Sequence, residues 1–347
     1  MPDILYDIVT QIKAIDLMAP IPKFLFDTFV SDEGAFLEED ILLDFRKGSK
    51  VLAPFVVPHA GGKVVEADTF DTRNITFPSI APERVIDYLD YTKRSFGERI
   101  MGGMDPQQRM RRRLAADFAL LRDMIQGRRE WMAAQVIFSG KLDLVEYVDG
   151  GEATKTTKYA DYQFTNNFTP TTKWDQPGAK IADDFFKMFD IACEGQGTPK
   201  LAVFGPDVRA ALMNDEKLMK MLDIRNAYFG DITPGIPHES IQYVGTIAKN
   251  GVELYTYHGS YQEKKGAPVK SFVPEGKIAI GSPKMIRCAH GPVVQVEKDG
   301  EEPMIYAKRE VPFRYSKAGG SVVKQRMTSR PMLIPENVDG WVVGEVL

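Results

Sequence analysis

DPQQRMRRRLAADFALLRDMIQGRREWMAAQVIFSG, residues 105–140, is the stretch that decides the architecture. Asp105 stands where an N-cap is wanted, Pro106 suits the first helical position, and Gln108 falls at the capping-box spacing. Leu114, Phe118, Leu121, Ile125, Met132 and Val136 recur at helical spacing, and Gly140 supplies the stop. At 1.5 Å per residue this predicts a helix about 50 Å long. A ball of this chain length has a radius of gyration of only about 20 Å. Such a rod favours an elongated molecule.

Upstream, residues 41–82 are rich in β-branched and aromatic residues and broken by Pro54, Pro58, Gly61, Gly62, Pro78 and Pro82. The pattern predicts strands near Val51–Val57 and Thr72–Phe77 joined by a hairpin-like connection. Each proline removes a ladder donor, so this ribbon is a poor central strand and suits an arm reaching away from the core. Further upstream, Ile4, Ile8, Ile12 and Ile15 form an apolar stripe within residues 3–18, and Pro20 and Pro22 end it. A short amphipathic helix of this kind docks on its own chain or on a neighbour.

Downstream, residues 141–168 alternate and turn at Asp149, Gly150 and Gly151, which predicts a hairpin. A helix is expected over Ile181–Cys193, a buried strand at 200–204, and a proline-started helix from Asp207 to about Leu222. Strands then follow at Ser240–Val244, Val252–Tyr257, Lys277–Ile280 and beyond. The order is mixed α+β, without the strict alternation of a doubly wound fold.

The 347 residues are long enough for two domains, and 44% apolar with 27% charged is ordinary for a globular chain. A net charge of −4 argues against a dedicated nucleic-acid grip. No apolar run approaches a membrane span of roughly 18 residues, and the acidic MPDILYDIVT lacks a signal-peptide layout. Two cysteines, Cys193 and Cys288, and four scattered histidines predict no disulfide scaffold and no metal cluster, and suit a reducing cytoplasm.

Chemical motifs are equally sparse. His59–Val65 contains Gly-Gly-Lys but lacks the upstream glycine and the hydroxyl residue of a phosphate loop. Gly195–Lys200 has two of the dinucleotide glycines but precedes a strand instead of following one. No nucleophile elbow or triad spacing occurs. Arg109, Arg111, Arg112 and Arg113 spread around the helix beside Asp117 and Asp123, which reads as a solvated face or subunit salt bridges before nucleic-acid contact. No catalytic residue, cofactor or metal is expected.

Taken in order, several segments resemble the tailed-phage major capsid proteins of the lambda E type. They are ILLDFRKGSKVLAPFVVPHAGGKVV (41–65), FPSIAPERVID (77–87), the helix with RMRRR and FSGKL (109–142), and KWDQPGAKIADDF (173–185). VFGPDVRAALMND (203–215), GVELYTYHGSYQE (251–263), SFVPEGKIAIGS (271–282) and SRPMLIPENVDGWVVGEVL (329–347) complete the set. The resemblance implies an α+β tailed-phage capsid fold. Its parts would be an N-terminal arm (1–40) and a peripheral domain (41–177) with an extended β-hairpin loop (about 46–80) and a spine helix (about 106–138). An axial domain (178–300) would follow, and C-terminal strands (301–347) would return to the peripheral sheet and end near the axial domain.

The implied function is self-assembly through hexamers and pentamers into an icosahedral shell around double-stranded DNA, in a virion made in the host cytoplasm. Scaffold, portal and decoration proteins are the partners this implies, with no membrane partner. Expected subunit contacts are Ile4, Ile8 and Ile12 on the arm, Val51, Phe55, Val56 and Val57 on the ribbon, and Arg109 and Arg112 on the helix. Two other readings stay open at this point: a cellular or prophage-derived shell around protein cargo, and a soluble α+β enzyme.

Overall fold

The computed structural model describes residues 23–37, 40–45, 71–87, 106–147, 155–195, 197–223, 240–264, 266–296, 302–316 and 322–347. Ile4, Ile8, Ile12, Val51, Phe55, Val56 and Val57 lie outside these residues, with the helix expected over 3–18, the strand expected over 51–57, the Asp105 cap and the 149–151 turn.

Pro106–Ser139 forms a single helix of 34 residues. The stripe Leu114, Phe118, Leu121, Ile125, Met132 and Val136 is buried along it. The helix stops at Gly140, whose φ is +64° and where a Cβ would lie 2.1 Å from the Cβ of Phe164. Left-handed backbone and close approach both demand glycine here. The strand Lys141–Tyr147 starts at once and pairs antiparallel with Lys155–Asp161.

Two large apolar clusters flank this helix and its neighbours. In the first, Met132–Phe138 packs with the short helix Phe24–Phe29 and a three-stranded sheet. That sheet sets Val30–Ala35 parallel to Ile286–His290, which runs antiparallel to Pro331–Pro335. The parallel pair carries a bulge between Asp32 and Gly34, and Gly34 takes the positive φ of 106°.

The second cluster lies under a seven-stranded sheet. Its order is Asn167–Phe168, Val342–Glu345, Lys277–Gly281, Leu201–Phe204, Val252–Tyr257, Ile241–Ile247, Leu222–Asp223. Leu201–Phe204 is buried at all four residues, as a central strand covered on both faces must be. The helices Ile181–Glu194, Pro206–Met213 and Glu216–Met221 contribute to the same cluster. Trp341 joins the two halves: its indole N–H donates to the Ile137 carbonyl at 3.1 Å, and its ring stacks on Phe164 at 4.7 Å.

Two sequence expectations are modified. The single helix expected over 207–222 is two helices, broken at Asn214 and Asp215. The Asp215 carboxylate accepts from Leu218 N at 2.8 Å and caps a new helix instead of continuing the old one. Within the stretch expected as an arm, Phe24, Leu25, Phe26, Phe29 and Val30 are buried in the body. Five large apolar side chains in FLFDTFV make that segment too costly to leave in solvent.

Glu130 fixes the entry of this segment onto the long helix. Its carboxylate is fully buried and accepts from Leu25 N at 2.9 Å, Phe26 N at 2.8 Å and the Tyr257 hydroxyl at 2.7 Å. Burial pushes its pKa up against those three donors, which pull it down. Replacing it with alanine strands two backbone donors and a phenol. Glu130→Ala is therefore expected to destabilise the subunit by about 3 kcal/mol, read by urea unfolding.

Candidate assembly interface

The ribbon begins where Asp40–Phe45 pairs antiparallel with Asp71–Thr76, in register from Asp40 opposite Thr76 to Phe45 opposite Asp71. These two strands form a sheet of their own, with no third strand among the described residues. A lone pair of strands is marginal in water and gains stability from a partner surface.

The root of this ribbon is clamped to the body. Phe77 is buried, and a Cβ on Gly291 would meet its ring at 2.5 Å, so Gly291 lets the backbone pass close by. Arg330 donates from Nη2 to the Phe77 carbonyl at 3.1 Å and from Nη1 to the Pro292 carbonyl at 2.8 Å. Ile80 exchanges backbone hydrogen bonds with Ser329 at 2.8 and 2.9 Å.

The chain then enters an antiparallel sheet as the edge strand Glu83–Asp87, beside Val322–Thr328 and Val311–Ser316. Glu83 accepts from Lys324 at 2.6 Å and from the Tyr315 hydroxyl at 2.7 Å. This sheet is bolted to the long helix by charge. Arg84 meets Asp117 at 2.7 Å. Glu310, nearly buried, takes Arg122 at 3.0 Å, Arg129 at 3.6 Å and Gln126 at 3.1 Å. Arg129 also donates to Ser329 Oγ at 2.9 Å, which closes the link back to the ribbon root.

A second polar group sits at the parallel strand pair. His290 Nε2 and Asp32 Oδ1 are 3.1 Å apart, Cys288 Sγ lies 3.6 Å from the same nitrogen, and Arg309 Nε is 3.3 Å from Asp32 Oδ2. One ligand atom from each of Asp32, Cys288 and His290 lies within 4.8 Å of the others, a spacing that could hold a metal ion. The positive charges of Arg309 and Arg129 act on the same carboxylate and oppose a cation there. The group reads as a pin between strands. Since a carboxylate only accepts, Nε2 carries the proton and donates to Asp32.

Burial pushes the Asp32 pKa up, but the His290 hydrogen bond and the charges of His290, Arg309 and Arg129 outweigh it and hold the carboxyl below its ordinary value. For His290, burial pushes the imidazole down, and the Asp32 bond opposes this only in part.

A cleft of about 710 Å³ opens beside Trp174, Asp207, Asp215 and the terminal Leu347. Two of its four carboxylates serve the fold: Asp207 accepts from the Gly276 backbone N–H, and Asp215 caps its helix. It offers no paired acid and base.

Arg109 and Arg112 lie on the first turns of the long helix, and their side chains are outside the described residues. The exposed apolar side chains of the body were not singled out from sequence. Val294 and Ile305 face each other across the ladder of Val293–Gln295 with Met304–Tyr306, exposed by 57% and 59%, while Gln295 beside Val294 is buried. In the sequence these residues read only as a Val-Gln-Val alternation at 294–296, which does not say which side faces out. Val85 on the edge strand and Leu120 and Met124 on the long helix are also exposed.

A clamped ribbon, a long helix carrying a small sheet, and a separate mixed sheet define a shell-forming subunit, a protein class built around surfaces for its own copies. The chain matches the phage major capsid protein E family over residues 7–346 and belongs to that family. It is a phage head shell protein. The protein described as a prophage capsid protein in E. coli CFT073 has the same fold, with a TM-score of 0.66 at 19% identity over 94% of each chain. The mature capsid subunit of bacteriophage PhiM1 aligns with a TM-score of 0.49 at 12% identity, over 94% of this chain and 88% of that one. No curated protein matches the chain.

A buried imidazole held neutral stabilises the fold above its unfolded pKa of about 6.5, and that contribution is lost as pH falls through the lower folded value. Subunit stability is expected to drop between pH 7 and pH 5. His290→Asn should flatten that drop, as compared by urea unfolding at the two pH values.

Proposed function

We propose that this subunit closes the shell of a tailed-phage head by projecting its ribbon, residues 46–80, onto the next copy. Val51, Phe55, Val56 and Val57 are the apolar contacts of that ribbon. The observation that carries this reading is the pair Asp40–Phe45 with Asp71–Thr76: a two-stranded sheet with no third strand among the described residues, rooted at Phe77 and Ile80, with 25 residues between its strands. Apolar area buried on a neighbour contributes about 25 cal/mol per Å².

A head-to-tail contact of this kind repeats around a ring, so hexamers and pentamers follow where the rotation closes. The division into an arm (1–40, of which Phe24–Val30 is packed in the body), peripheral domain (41–177), axial domain (178–300) and returning C-terminal strands (301–347) belongs to this reading. So do the partners: scaffold and portal proteins during assembly, decoration proteins outside, and double-stranded DNA held without sequence-specific contacts. Synthesis is in the host cytoplasm. The role is structural, without catalysis. Arg109 and Arg112 make salt bridges between copies.

Replacing residues 46–70 with a short Gly-Ser turn is expected to leave a folded subunit that forms no closed particles by electron microscopy. Closed particles from that variant would sink the ribbon assignment. Arg112→Glu should lower particle yield while leaving the subunit's melting temperature unchanged; an unaltered yield removes Arg112 from the interface.

A further inference from the structure

The hairpin of Val293–Gln295 with Met304–Tyr306 has an inverted alternation. Val294 faces Ile305 across the ladder, and both are more than half exposed. Val296 and Pro303, the next pair in register, are exposed as well. Toward the base the same side continues as Pro292 and Ala307, so none of these six positions carries a charge. The opposite side holds Gln295, which is buried. Neither its amide oxygen nor its amide nitrogen has a hydrogen-bond partner among the described residues.

For a lone subunit the reverse arrangement is the more stable one. A shift of one residue would turn Val294 and Val296 inward and release Gln295 to water. The base of the hairpin forbids that shift. Gly291 N–H donates to the Arg330 carbonyl at 2.8 Å, and Arg330 Nη1 donates to the Pro292 carbonyl at 2.8 Å. The strand therefore leaves the body in a fixed register, with its apolar side held outward. A contiguous uncharged apolar side of this kind is one that becomes covered.

Its position says by what. The ribbon leaves and returns on either side of the hairpin base. On the way out, Phe36 N–H donates to the His290 carbonyl at 2.8 Å, shortly before the strand Asp40–Phe45. On the return, Phe77 packs at Gly291, and its carbonyl accepts from the same Arg330. The hairpin is thus continuous with the ribbon root, at the edge from which the subunit reaches its next copy. Permanent contacts are the more apolar class of interface. In the shell of a major capsid protein the permanent neighbour is another copy.

We infer that the side of this hairpin carrying Val294, Val296 and Ile305 packs against a second copy of the chain in the assembled shell. The inference rests on the assembly reading above and adds to it a contact made by the body, without the ribbon's own side chains.

Hydrogen exchange on the unaltered chain tests this directly. Amides of residues 293–296 and 304–306 should exchange at least about tenfold more slowly in shells assembled from the purified chain than in the dilute subunit. Equal exchange in the two overturns the inference and leaves the face to another protein or to solvent. Val294→Lys with Ile305→Glu places opposite charges across the ladder, which keeps the hairpin. This pair should leave the subunit's melting temperature unchanged and abolish closed particles by electron microscopy, whereas Val294→Ile with Ile305→Val should preserve them. Full particle yield from the charged pair overturns the inference; should that pair lower the melting temperature, the exchange comparison decides. The ribbon is tested separately. Closed particles from the 46–70 replacement, beside none from the charged pair, would sink the ribbon and keep this contact, and the opposite result would do the reverse.

Discussion

The burial of one side of the Pro106–Ser139 helix is the constraint on which the rest of this subunit depends. Its first half seats Met327 and Ile80, and its second half seats Phe24–Phe29 and the three-stranded sheet. Trp341 then ties the same helix to the strand Val342–Glu345 of the seven-stranded sheet. Elements distant in sequence are thus held in one frame by a single long helix. Apolar burial supplies the energy, and the helix supplies the geometry.

Charge supplies orientation. Buried or half-buried ion pairs contribute little net stability, because desolvation offsets their attraction. Their directionality is what matters here. Glu310 with Arg122 and Arg129, Arg84 with Asp117, and Arg330 on the Phe77 carbonyl aim the small sheet and the ribbon root at fixed angles to the helix. A projecting element can meet its next copy reproducibly only if its base does not swivel. The same logic applies to Glu130, whose buried carboxylate fixes where the chain enters.

Much of the fold was legible because local chemistry and tertiary position agree. Pro106 and Gly140 bracket the long helix in the sequence as they do in space. The strand expected at 200–204 is the fully buried Leu201–Phe204, and the helix expected over Ile181–Cys193 runs to Glu194. The helix break at Asn214–Asp215 was missed because a capping aspartate inside an apolar run looks like any polar surface residue until its carboxylate is seen on Leu218 N. The candidate contacts were legible only as residue types: Val294 and Gln295 alternate in the ordinary way, and nothing local says which of them points out.

Sequence alone determined the elements with strong local signals and the family resemblance carried by their order. Periodicity, capping residues and proline are short-range properties that each segment carries with it. Only the tertiary structure decided that FLFDTFV belongs to the core, that Asp32 meets His290 across 258 positions, and which apolar side chains remain uncovered. Those outcomes depend on which distant surfaces meet, and exposure is a property of the packed whole.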